Sequence, residues 1–164
     1  MADPVTPTDG LQGDRPLSDG QGHNSGLLRY RSDDIADHAA VTVDAFVEQD
    51  DALAVRIEPG DEARELIPHL DRVKLVEVNF PAFGDGRGYS SARILREAGY
   101  EGELRAVGDV LVDQLAYMRR CGFDSFDPDA PLDAGDVEAA LARWPDVYQS
   151  AADDRTPIWS KRHA

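Results

Sequence analysis

VKLVEVNF, residues 73–80, decides the fold of this chain. Five of these eight residues are Val, Leu or Phe, and Pro81 follows at once. An apolar, β-branched run of this length bounded by a breaker reads as a strand rather than a helix. Val76, Val78 and Phe80 fall on one face, with Lys74 near the start. Leu75, Glu77 and Asn79 fall on the other. Two further stretches share the pattern. In 103–107, Leu104 and Ala106 oppose Glu103, Arg105 and Val107; in 53–57, Leu53, Val55 and Ile57 alternate with Ala54 and Arg56. Strands buried on both faces read as unbroken apolar runs, and these do not. Laid side by side, they gather Arg56, Glu77, Asn79, Glu103 and Arg105 on one side of a sheet. That side is either a solvated face of cross-strand ion pairs or a polar concavity that binds an anion or a partner.

Helical patterns separate the strands. Residues 62–69 follow a Pro59-Gly60-Asp61 turn, with Asp61 placed as an N-cap. Ser90 to Ala98 carries Ala92, Ile94, Leu95 and Ala98 on one face and ends at Gly99. Asp109 to Cys121 is the strongest helix, with Leu111, Leu115 and Met118 in phase and Gly122 as its stop. A weak strand at 124–127 and a helix from Asp136 to Trp144 follow, and 43–49 forms another short helix. The alternation predicts an α/β fold of about four β/α units on a parallel sheet. It is either half-TIM-barrel-like or a small open doubly wound sheet. Four such units could also pair in a homodimer to close a pseudo-barrel.

The ends differ in composition. Residues 1–32 are rich in Asp, Gly, Pro, Ser and Gln and hold too little apolar surface to offset ordering entropy, so a disordered tail is expected. Residues 150–164 read as a flexible C-terminal tail in which Ile158 and Trp159 are the groups able to dock. The domain is expected to occupy 33–149.

The formal charge of −15, from 32 acidic and 17 basic residues among 164, excludes nucleic acid and anionic membrane surfaces as main partners. Cys121 is the only cysteine, so no intrachain disulfide can form. Neither a membrane span nor a signal peptide is evident, and a cytoplasmic location is expected.

Sites in α/β folds lie beyond the carboxyl ends of the strands. Here those ends feed the loop PAFGDGRGY, residues 81–89, and the turn Gly108-Asp109. Glycines around Asp85 and Arg87 allow a backbone to approach a ligand, Ser90 begins the next helix, and Arg87 could fork onto sulfite, sulfate or a carboxylate. Asp109 reads first as an N-cap; with Asp113 one turn later it could also form an acid–base pair. No third ligand accompanies them, so no metal is expected. Cys121, in RRCG, reads as a small buried residue, with a sulfur-carrying thiol as the alternative. No cofactor motif is evident.

The segment PAFGDGRGYSSARILREAGYEGELRAVGDVLVDQLAYMRRCGFDSFD, residues 81–127, resembles the central motif of one bacterial family of unknown function. That family's common description is of an oxidoreductase involved in sulfite reduction. The joined pattern DGRGYS, ELRAVGDVL, DQL and RRCGF carries the resemblance, which runs from about Ile57 to Gln149. It implies a gene neighbourhood with siroheme-type sulfite reductase, hence that enzyme as partner. It carries over no catalytic residue, but it puts weight on Asp85, Arg87, Arg93, Arg105, Asp109, Asp113, Gln114 and Cys121. The expected function is an accessory of assimilatory sulfite reduction; the alternative is a small enzyme acting on a sulfur oxyanion or sulfur carrier.

Overall fold

A computed structural model describes residues 26–153 and 155–163. Its centre is a six-stranded sheet in the order β1-β6-β5-β4-β3-β2. The strands are β1 (Leu28–Arg29), β2 (Val41–Thr42), β3 (Ala54–Ile57), β4 (Leu75–Phe80), β5 (Glu103–Gly108) and β6 (Ser125–Pro128). Strands β2 to β6 are parallel, and β1 runs antiparallel along β6. The fold is α/β. Each parallel strand is followed by helix: α1 (Val43–Glu48), a 3₁₀ segment Ala63–His69, α2 (Arg87–Glu97), α3 (Leu115–Cys121) behind a 3₁₀ turn Val112–Gln114, and α4 (Ala134–Ala142).

The strand order corrects one expectation. A doubly wound sheet needs a point where the order reverses, and β2 to β6 run in sequence without one. Under the right-handed crossover rule an unreversed order puts every helix on the same face. The core agrees. Val55, Ile57, Val76, Val78, Phe80, Leu104, Ala106 and Phe126 point into one buried cluster with Phe46, Leu66, Leu95, Leu115 and Met118 from the helical layer.

The opposite face is charged. Registers Arg56↔Glu77, Glu77↔Arg105 and Arg105↔Ser125 align the polar positions of successive strands in one row. Because β1 and β2 lie on opposite edges, the eleven residues 30–40 must carry the chain across the whole sheet. Five strand spacings are roughly 24 Å, within reach of that length. Arg31 fixes the segment to the amino ends of the strands, donating to the carbonyls of Glu101 and Gly102.

The sheet also takes in Leu28 and Arg29, inside the stretch 1–32 read as a tail; residues 1–25 of it lie outside the described residues. At the other end, Ala152 N–H donates to Arg120 O, Ile158 N–H to Val147 O, and Trp159 Nε1 to Tyr148 O, so the described part of 150–164 folds back toward α3.

Candidate functional site

Helix α2 begins at Arg87, three residues earlier than its periodicity suggests, and this changes the meaning of the DGRGY motif. Gly88 lies in the first turn, against the sheet. A Cβ there would stand 2.6 Å from Phe80 Cζ and 2.8 Å from Val78 Cγ1, so this glycine permits helix–strand contact rather than ligand approach. Ser90 is inside the helix and caps nothing. Asp85 accepts from Arg87 backbone N–H at 3.1 Å and holds its guanidinium through Nε at 3.0 Å and Nη2 at 2.5 Å. Those hydrogen bonds keep the Asp85 carboxyl down at about 2. The Arg87 fork expected to meet an oxyanion is thus engaged by its own neighbour.

Asp109 also departs from its expected role. Gly108 takes φ +96 at the end of β5, where a Cβ would lie 2.5 Å from Phe80 O, and the chain turns tightly before any helix starts. Helix α3 itself begins only at Leu115. Asp109 therefore caps no helix and shares no helical face with the exposed Asp113. Its Oδ2 accepts from Phe83 N–H at 2.9 Å. Gln114 Nε2 donates to Phe83 O at 2.7 Å, while its Oε1 accepts from Leu111 N–H at 3.1 Å. Two motif residues thus grip both backbone groups of Phe83, an aromatic residue that is 59% exposed. Exposed Leu111 and Tyr117 come from the segment that supplies Gln114, and exposed Trp144 and Tyr148 line a cleft of about 380 Å³ beside α3 with Arg119 and Arg120.

Arg105 is equally committed. It lies between Glu103 at 2.7 Å and Glu77 at 3.6 Å, inside a chain of alternating charge. The chain runs Arg56–Glu77–Arg105–Glu103–Arg29–Asp33–Arg31–Asp124–Arg96, five arginines and four carboxylates, each linked to the next within 4.0 Å. Glu103 sits at its centre, 2% exposed, also accepting from Ser125 Oγ at 2.7 Å. At one end Arg96 is saturated by the carbonyls of Tyr100, Gly102 and Gly122 as well as Asp124. At the other, Arg56 is 47% exposed and borders a polar cleft of about 340 Å³ at the carboxyl ends of β3 to β6. Sequence periodicity placed Arg56, Glu77, Glu103 and Arg105 on one face. It missed Arg29, Arg31, Arg96 and Asp124, because nothing in a two-residue strand, a loop or the polar side of a helix signals a partner brought from 28 to 93 residues away by folding.

Cys121 is buried at the end of α3. Burial pushes its thiol pKa up, and the hydrogen bond with Tyr117 and the charges of Arg120 and Arg93 only partly offset this. A thiol held protonated and covered is a poor nucleophile. Among the described residues no group of three or more His, Cys, Asp or Glu side chains is arranged to hold a metal ion, and no helix is long and apolar enough to cross a membrane.

The structure thus brings Asp109 and Gln114 together at Phe83, and pairs Asp85 with Arg87 on the same loop. It places Arg105 in the ladder on the far face and Cys121 in the core. No curated protein and no solved structure matches the chain. A family model does, over residues 54–159, which span β3 to β6 and the helices that follow them; the chain belongs to the family described as bacterial protein of unknown function (DUF934).

Proposed function

We propose that the protein is a cytoplasmic, non-catalytic accessory of assimilatory sulfite reduction that docks on a siroheme-type sulfite reductase through the Phe83 rim. The observation that carries this reading is the double grip on Phe83: an exposed aromatic ring whose backbone N–H and C=O are both fixed by side chains. An aromatic anchor held before contact loses little entropy on binding, and such residues dominate interface energetics. The sulfite assignment rests on the resemblance of the 81–127 motif. The residues of that motif are spent on shaping the loop: Asp85 with Arg87, Gly88 against Phe80, Asp109 and Gln114 on Phe83. The finer fold reading is an opened length of α/β barrel wall, since consecutive strands are neighbours throughout β2 to β6.

The alternative, an enzyme acting on a sulfur oxyanion, draws less support, because its named parts do not converge: Arg87 pairs with Asp85 on the 81–89 loop, Arg105 lies in the ladder on the far face and the thiol is buried.

The test is genetic and biochemical together. A deletion strain should fail to grow on sulfite and recover on sulfide. Wild-type protein should co-purify with the reductase and restore growth, whereas Phe83→Ala should do neither while folding normally. Equal growth of the deletion strain on both sulfur sources, or full complementation by Phe83→Ala, overturns the proposal.

A further inference from the structure

The cleft of about 380 Å³ beside α3 is closed on its other sides by the end of α4 and the chain that follows it. Its walls carry the residue types that dominate protein interfaces: Tyr117, Trp144 and Tyr148 with Arg119, Arg120 and Arg155. Trp144 is 70% exposed and Tyr148 71%. Among the described residues neither ring packs against another ring or a guanidinium. Large aromatic surface left bare around one cleft marks an interaction site. The backbone beneath these rings is tied down. Ile158 N–H donates to Val147 O at 2.8 Å, Trp159 Nε1 to Tyr148 O at 2.9 Å, and Arg155 Nη2 to the carbonyls of Trp144 and Pro145. Val147, between the two rings in sequence, is buried. The arrangement repeats that of Phe83: backbone held, ring exposed, so that little entropy is lost when the ring is covered.

The charge of the cleft is opposite to that of the chain. The protein as a whole carries −15, yet three arginines and two aspartates line this cleft. Both acids are occupied: Asp146 pairs with Lys161 at 3.3 Å and Asp153 with Arg120 at 3.0 Å. Arg155 donates to neutral carbonyls, and neither it nor Arg143, next to Trp144 in sequence, has a carboxylate partner among the described residues. An acidic partner is repelled by most of this molecule and is accepted here.

We infer that this cleft is a docking site for an acidic segment of a partner protein, which seats an apolar side chain among Trp144, Tyr148 and Tyr117 and sets its carboxylates on Arg155 and Arg143. The inference stands apart from the Phe83 rim and does not need it. The two surfaces adjoin all the same, since the Tyr117 ring lies 5.3 Å from that of Tyr89, the last residue of the 81–89 loop.

The test titrates short acetylated peptides calorimetrically into the isolated full chain at low ionic strength, where charge is least screened. One peptide has Asp and Glu flanking a central Leu-Phe; one control replaces the centre with Ala-Ala, and the other replaces the acids with Lys. The acidic Leu-Phe peptide should bind, with both controls weaker by roughly tenfold or more, the weight of one anchor residue. Trp144→Ala and Tyr148→Ala should each weaken it by a similar factor, and Arg155→Gln by roughly threefold, as for an exposed ion pair. Arg143→Gln should match Arg155→Gln; Arg143 ties down no backbone in the cleft, so its effect separates charge from anchoring. All four positions are exposed, and the melting temperature should stay within a few degrees of wild type. Phe83→Ala should bind the peptide as wild type does, which keeps this outcome separate from reductase docking. No binding of the acidic peptide, equal binding of the Lys peptide, or undiminished binding by Trp144→Ala and Tyr148→Ala overturns the inference. So does adenosine monophosphate binding more tightly than the peptide, which would assign the cleft to a small aromatic anion.

Discussion

Replacing Glu103 by Ala should be among the most damaging single changes in the sheet. Its carboxylate is 2% exposed and accepts from four donors: Arg29 Nε at 2.9 Å, Arg105 Nε at 3.2 Å and Nη2 at 2.7 Å, and Ser125 Oγ at 2.7 Å. Removing one partner from a buried ion pair costs about 3–5 kcal/mol, because the remaining charge stays buried without compensation. Two relaxations pull the expected value to the low end. Arg29 keeps Asp33 and the carbonyls of Arg31, Asp33 and Asp34, and Arg105 keeps Glu77 at 3.6 Å. We expect a loss of about 3 kcal/mol at pH 7, measured by urea unfolding. The pH dependence identifies the cause. Burial alone would raise the Glu103 pKa, but the hydrogen bonds from Ser125, Arg105 and Arg29 more than reverse this, and the folded value is lowered. A carboxyl with a depressed folded pKa contributes stability that is present above its unfolded value, about 4.3, and fades as pH falls from there through the folded value. The gap between wild type and Glu103→Ala should therefore be widest near neutrality and narrow below about pH 4. A variant within about 0.5 kcal/mol of wild type at pH 7, or a gap that stays constant into acid, would refute the assignment of stabilisation to the ionised ladder.

Three other outcomes are open to direct measurement. Gly88→Ala should lower stability by about 1–2 kcal/mol in chemical denaturation, since overpacking against Phe80 and Val78 outweighs the helix-propensity gain of about 1 kcal/mol. Cys121 should react with a thiol reagent only as the protein unfolds; fast labelling of the native protein would restore the sulfur-carrier idea. Asp109→Ala should leave the fold intact but loosen the Phe83 loop, so that reductase co-purification weakens in parallel with Phe83→Ala; unchanged binding would separate the grip from function.

How much the sequence revealed followed the range of the interactions involved. Alternation is a local property, and it placed Arg56, Glu77, Asn79, Glu103 and Arg105 on one face. Motif glycines and acids were legible as a loop of consequence but not as what they do, because that depends on partners brought by folding. The glycine of DGRGY that matters is the one pressed on Phe80, a contact eight residues away in sequence that only the helix start reveals. Asp109 looked like a cap because it follows a glycine and precedes a helical pattern; the positive φ of Gly108 and the 3₁₀ turn at Val112–Gln114 moved the true helix start to Leu115. Strands β1 and β2 are two residues each, too short for any periodicity.

The charged face raises a physical question of its own, since parallel sheets are ordinarily covered by apolar layers on both sides. Hydrophobic alternation fixes which face of a strand is inward, but a slip of two residues preserves that face and so is not penalised by it. The ladder removes this freedom. In the observed register Glu77 stands opposite Arg105, and Leu75 opposite Glu103. Sliding β5 by two residues one way sets Glu77 against Glu103, a like-charge pair in a buried position. Sliding it the other way sets Glu77 against Val107 and Arg105 against Leu75, and strips both charges of their partners. The same holds between β3 and β4, where Arg56 faces Glu77. Each alternative register leaves charges of this row repelling or unpaired at several kcal/mol apiece, while the native one alone alternates sign from β3 through β5. A row of ion pairs that contributes little net stability over an apolar equivalent can therefore still select one sheet among several, and it is that selection that places Arg56 at the mouth of the cleft.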